Sequence, residues 1–134
     1  MAISTSKVIV GGLIGGVVAT VIASAVNRFV LSGMQSAGTT AGSTIAIGVI
    51  LGFIWTIANV WIYAAIRPRF GPGPKTAAYA GIASWVITMT IVGNFATLGI
   101  VSWSFYCASG VSSLINSVVS TMVGAKFYSE DAVA

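Results

Sequence analysis

The sequence predicts an all-α fold: an integral membrane bundle of four transmembrane helices, built as two antiparallel hairpins joined by a rigid basic loop. Three observations carry that prediction. Only 6% of the 134 residues are charged and 57% are hydrophobic, whereas soluble domains are about one quarter charged. Apolar runs at 44–66 and 76–98 are each long enough to cross a hydrocarbon core of about 30 Å. Between them, Arg67-Pro68-Arg69-Phe70-Gly71-Pro72-Gly73-Pro74-Lys75 holds all three prolines and half of the six basic residues. Proline lacks a backbone donor and pushes its predecessor out of helical geometry, so this interleaving with glycine predicts a stiff turn.

Lys7 opens an uncharged run, and a first span is expected over 7–28. A basic residue, an apolar run and the small residues Ala23-Ser24-Ala25 also form a signal-peptide pattern. The glycines of the run favour a span. Gly11 and Gly15, and Gly12 and Gly16, stand four residues apart and therefore stack on one helix face, continued by Ala19 and Ala23. In lipid little hydrophobic drive brings helices together, and small residues allow the close backbone approach that replaces it. Packing inside the bundle and self-association are both served by such a face.

Residues 29–43 form an uncharged Gly/Ser/Thr-rich connection, with an interfacial turn expected around Val30, Leu31 and Met34. The second span, 44–66, repeats the small-residue line through Thr44, Gly48, Gly52 and Thr56. Trp61 and Tyr63 near its basic end suit the headgroup layer, and Tyr79 and Trp85 of the third span, 76–98, are expected at the same level. Gly81 is the packing glycine of that third span. A break at Ala96-Thr97-Leu98-Gly99 leads to a fourth, 101–127, with a hydroxyl register of Ser109, Ser113, Ser117 and Thr121. Hydroxyls on helices return bonds to carbonyls one turn back, or line a narrow cavity. The whole chain, 1–134, reads as one membrane domain.

With four spans, Lys7, Arg67, Arg69, Lys75 and Lys126 share one side, against Arg28 opposite. The positive-inside rule places that side, with both termini, in the cytoplasm. Beside an anionic leaflet, Arg67, Arg69 and Lys75 are candidate contacts for lipid headgroups or for a docking partner. The basic residues sit at the ends of apolar runs and not on a soluble face, which argues against nucleic acid.

Chemistry is bounded by what the spans lack. The chain has no histidine, and its two acids, Glu130 and Asp131, lie in the C-terminal tail. Proton-coupled transport commonly uses an intramembrane carboxylate or imidazole, and imidazole is the usual metal and haem ligand. No catalytic residue, metal ligand or cofactor is expected, and the lone Cys107 lacks a base to activate it and reads as a small core residue. The polar groups left inside are the amides Asn27, Asn59, Asn94 and Asn116. Counted from the helix ends, Asn59 and Asn116 share a depth, and all four are expected to face the interior and bond each other or backbone carbonyls. They serve either as interhelical glue or as the lining of a solute path.

The run Trp61-Ile62-Tyr63-Ala64-Ala65-Ile66-Arg67-Pro68-Arg69-Phe70-Gly71-Pro72-Gly73-Pro74-Lys75, together with the Gly-rich opening from Val10 to Val17, resembles small bacterial four-span integral membrane proteins of unknown function. That resemblance implies only a bacterial inner-membrane location and supplies no activity. In size the chain is also similar to the small multidrug resistance transporters, but their first-span glutamate has no counterpart between Lys7 and Arg28. Two functions follow as expectations. One is a structural or accessory subunit that packs through small-residue faces with itself or with a larger membrane complex. The other is a small channel or facilitator with an Asn/Ser-lined interior.

Overall fold

The computed structural model describes residues 3–33 and 42–128. Four helices fill it: α1 Thr5–Val26, α2 Gly42–Phe70, α3 Pro74–Thr97 and α4 Trp103–Lys126. Each is long and apolar enough to cross a membrane, and the described residues contain no strand. A helix satisfies all its interior backbone groups within itself, as lipid requires. A π-helical turn, Asn27–Leu31, extends α1 and covers Val30 and Leu31 of the expected interfacial turn, while Met34 lies outside the described residues. So do the two acids of the tail.

The helix ends follow from local chemistry. Pro74 opens α3, where its missing N–H is of no consequence. Ser102 caps α4, its Oγ accepting from the Phe105 N–H at 3.2 Å. At the end of α3, Gly99 adopts φ +73°, its N–H donates to Ala96, and the Ile100 N–H donates to Phe95. Those two crossed bonds are a Schellman motif, which satisfies the last carbonyls before the chain reverses.

The basic turn is shorter than its prolines predict. Helix α2 does not stop at 66; it carries Pro68 inside its last turn and ends at Phe70. Only one internal bond is lost there, and the Gly71 N–H closes the turn onto the Arg67 carbonyl at 2.8 Å. The reversal is confined to Gly71, Pro72 and Gly73, with φ of +81° and +134° at the two glycines. Side chains with a Cβ rarely tolerate those values. Thr76 Oγ1 donates to the Gly71 carbonyl at 2.7 Å, and the Gly73 N–H donates to the Tyr63 hydroxyl at 3.3 Å, so the turn is stapled from both helices.

Helix α1 packs against α2 and α4, and α3 against α4 and α2; α2 and α4 also touch across the bundle, while α1 and α3 do not meet. Toward the basic turn, the helices approach backbone to backbone. A Cβ placed on Gly11 would stand 2.6 Å from the Gly124 carbonyl oxygen, and one on Gly124 would stand 2.7 Å from that of Gly11. Gly15 meets Ser120 and Gly81 meets Ser117 in the same way, at 2.8 and 2.9 Å. Gly12 and Gly16 receive Ile57 and Phe53 of α2. Val8, Val60, Ala64, Ala77, Ala80 and Ala125 fill what remains of this half.

Away from the turn the packing opens. Beyond Phe53, α2 offers Gly48 and Gly52 while α1 offers Ala19 and Ala23, and two small walls leave a gap. Gly48 and Gly52 are therefore not packing residues: nothing lies within 4 Å of a Cβ built on either. Ile45, Ile47, Ile50, Leu51 and Ile54 all project outward from this part of α2.

Candidate functional site

Three cavities converge on Asn116. The largest, about 650 Å³, is a groove between α1 and α2 walled by Ala19, Ala23, Gly48, Gly52 and Trp55. A second, about 160 Å³, runs beside Ser109, Ser112 and Ser113 of α4. A third, about 80 Å³, lies beneath, against Thr88, Ser117 and Ser120. Ser109, Ser113 and Ser117 come from the hydroxyl register read in α4; Asn116, Ser112 and Ser120 lie beside it.

These polar groups mostly serve the backbone. Ser109 donates to Tyr106 at 3.1 Å, Ser112 to Ala108 at 2.9 Å, and Ser113 to Gly110 at 3.1 Å, all on their own helix. Ser117 crosses to the Gly81 carbonyl at 2.9 Å, and Thr56 crosses from α2 to Gly12 at 2.8 Å. Thr121 returns to Ser117 at 2.6 Å. Asn116 Nδ2 reaches the Ala19 carbonyl at 3.3 Å, tying α4 to α1, and its Oδ1 has no protein donor.

Asn59 is inside the bundle at 1% exposure, but neither of its amide atoms has a protein partner. It does not meet Asn116. Its neighbour Val60 touches Gly11 and Gly124, whereas Asn116 is bonded to Ala19, two turns along α1 and about 12 Å away at helical rise. The helix starts account for about half of this: α2 begins at Gly42 and α4 at Trp103, each two residues from the expected start and in opposite senses, which separates the amides by about 6 Å at helical rise. Asn27 and Asn94 are exposed instead of inward; Asn94 donates to its own Thr90 carbonyl at 2.8 Å. Near a membrane surface, headgroups and water can serve an amide that the core would leave stranded.

Three further side chains depart from their expected places. Cys107 is exposed and not in the core. Trp85 lies mid-helix, its indole N–H donating to the Gly110 carbonyl at 2.8 Å, so it ties α3 to α4 and does not sit in the headgroup belt. Tyr63 is buried against the turn, its ring edge-on to Tyr128 at 6.0 Å. Trp61 and Tyr79 do face outward. Of the basic residues at the turn, Arg69 and Lys75 are exposed, and the Arg67 guanidinium lies 5.6 Å over the Tyr128 ring.

Gly124 and Ser120 escaped the sequence reading although a signal was present. Asn116, Ser120 and Gly124 repeat at four residues and face Ala19, Gly15 and Gly11, a complementary register running the opposite way. The class that this fold and site define is a polytopic four-helix membrane bundle whose largest cavity meets two others at Asn116, in the half remote from the basic turn. Comparison of the chain with protein-family models, curated proteins and solved structures finds no match.

Proposed function

We propose that the chain is a structural or accessory membrane subunit without catalytic activity, one that packs beside itself or within a larger membrane complex. The observation that carries this reading is the reciprocal glycine packing of the half nearest the basic turn. Backbones in contact at Gly11 and Gly124, and at Gly15 and Ser120, favour a rigid body over a gated one. The facilitator alternative draws on the Ser/Asn cavities, but these end at Ser117 and Ser120, where Gly81 and Gly15 close the packing. The outward apolar stretch of α2 from Ile45 to Trp55 is the surface offered to the bilayer or a neighbour.

The resemblance in the basic turn points to a bacterial inner membrane, with the turn and both termini cytoplasmic. There Arg69 and Lys75 meet anionic headgroups, each contributing about 1 kcal/mol. Extraction from the native membrane in mild detergent, followed by mass determination and identification of co-migrating chains, tests the role. A homo-oligomer or a defined complex is expected; a lone monomer at every detergent concentration would sink it. Orientation is tested in a Cys107→Ser background, because Cys107 is itself exposed. A cysteine at the exposed Pro72 should resist an impermeant thiol reagent applied to intact cells, and one at Gly33 should react.

A further inference from the structure

The groove between α1 and α2 has a chemistry that its shape alone does not reveal. Most of its walls are apolar, with Ala19, Ala23, Ile45, Val49, Gly48 and Gly52; Ser24 and Asn27 stand on the side of α1 and the Trp55 indole on the side of α2. At about 650 Å³ it is of the size that takes drug-sized molecules, and it faces hydrocarbon. The hydroxyls around Asn116 present lone pairs only. A hydroxyl has one proton to give and two lone pairs to receive with. Thr20 spends its proton on the Gly16 carbonyl at 2.8 Å and Ser120 on that of Asn116 at 2.6 Å. Ser113 and Ser117, which with Ser120 line the smaller cavities that meet the groove at Asn116, spend theirs on Gly110 and Gly81. Asn116 gives its amide N–H to Ala19, which leaves Oδ1 as a buried acceptor with no donor. The floor asks for hydrogen-bond donors.

Charge narrows the class further. No acidic or basic side chain lines the groove or the two cavities beside it. A cation or an anion there would lack a counter-charge in hydrocarbon. We propose that this groove binds an uncharged amphiphile, an apolar body bearing a terminal hydroxyl, whose proton is donated to the acceptor-lined floor at Asn116. The body lies against Gly48 and Gly52, which leave the space it fills. Asn116 Oδ1 is buried, so its side chain shifts to meet the incoming hydroxyl, trading its bond to Ala19 for the new one.

The full-length protein in lipid nanodiscs tests this with two probes of one chain length, dodecanol carrying a mid-chain diazirine and the methyl ether of the same molecule. Only the alcohol can donate. Photolabelling mapped by mass spectrometry is expected to fall on the groove walls of α1 and α2, with the alcohol favoured about fivefold, the worth of one net hydrogen bond. Asn116→Leu should reduce the alcohol to the level of the ether. Gly48→Leu, which grows into open space and leaves the bundle intact, should remove labelling by both probes. Equal labelling of the natural chain by alcohol and ether, a preference that survives Asn116→Leu, or labelling indifferent to Gly48→Leu would each overturn the proposal. Should Asn116→Leu fail to fold, the alcohol-to-ether ratio and Gly48→Leu still decide.

Discussion

The half of the bundle beside the basic turn and the half remote from it are built from the same residues to opposite ends. Near the turn, glycine on one helix meets backbone or a large side chain on the next: Gly11 against Gly124, Gly15 against Ser120, Gly12 against Ile57. Away from it, glycine on α2 meets alanine on α1 across a gap, and Gly48 and Gly52 touch nothing. A small residue is a packing device only if its neighbour supplies the volume it gives up. Where both sides are small, the same motif makes a cavity, because dispersion contacts vanish across even a narrow void.

The largest expected effect breaks the first half and spares the second. Gly11→Leu or Gly15→Leu forces a side chain against a neighbouring carbonyl within 3 Å and should cost at least the roughly 1–3 kcal/mol typical of overpacking. Gly48→Leu and Gly52→Leu should stay within about 0.5 kcal/mol of the natural chain, as surface changes do. Unfolding by SDS titration in mixed micelles reads both. Comparable losses at Gly48 and Gly15 would mean that the groove is closed in the membrane.

The sequence carried the class and the number of spans because hydropathy and length alone decide them. It carried the glycine face of α1 because a four-residue repeat has one geometric meaning. It could not distinguish Gly48 from Gly12, since the difference lies in what stands opposite: Ile57 for Gly12, empty space for Gly48. The end of α2 was misplaced because Pro68 sits in a last turn, where one lost bond is tolerable. Depth arguments for the amides then inherited the errors in helix ends. Asn116 stands out in the sequence as a polar residue, but its place at the meeting of three cavities depends on the small residues that α1 and α2 bring opposite it, which no pattern local to α4 encodes.

Asn59 sharpens the contrast from the packed side. An amide at 1% exposure with both ends unbonded costs free energy in the folded state. Asn59→Leu, close to isosteric and wholly apolar, should therefore stabilise the bundle by about 1–2 kcal/mol in the same titration. A destabilisation of similar size would reveal an internal water serving the amide, and its removal by Leu would then be the cause.

Smaller effects should separate hydroxyls that cross between helices from those that do not. Ser117 spans α4 to α3 through the Gly81 carbonyl, so Ser117→Ala should cost about 0.6 kcal/mol, the average for such bonds in membranes. Ser112 only returns to Ala108 on its own helix, and Ser112→Ala should be silent within error. A loss at Ser112 equal to that at Ser117 would show that the return bond itself, and not the crossing, holds the helix.

The smallest expected effect is a coupling that should not be there. If Asn59 and Asn116 bonded each other, either change alone would strand a partner and the double change would recover part of the loss. Here Asn116 is held by Ala19 and Asn59 by no protein group, and they lie about 12 Å apart along the bundle with no shared partner. Changes at such separations add within about 0.5 kcal/mol. The cycle of Asn59→Leu, Asn116→Leu and the double variant should thus close to within that margin, with stabilisation from the first and a small change from the second. A coupling energy above about 1 kcal/mol would place both amides in one network, and the packed half and the open half would have to be treated as a single polar core.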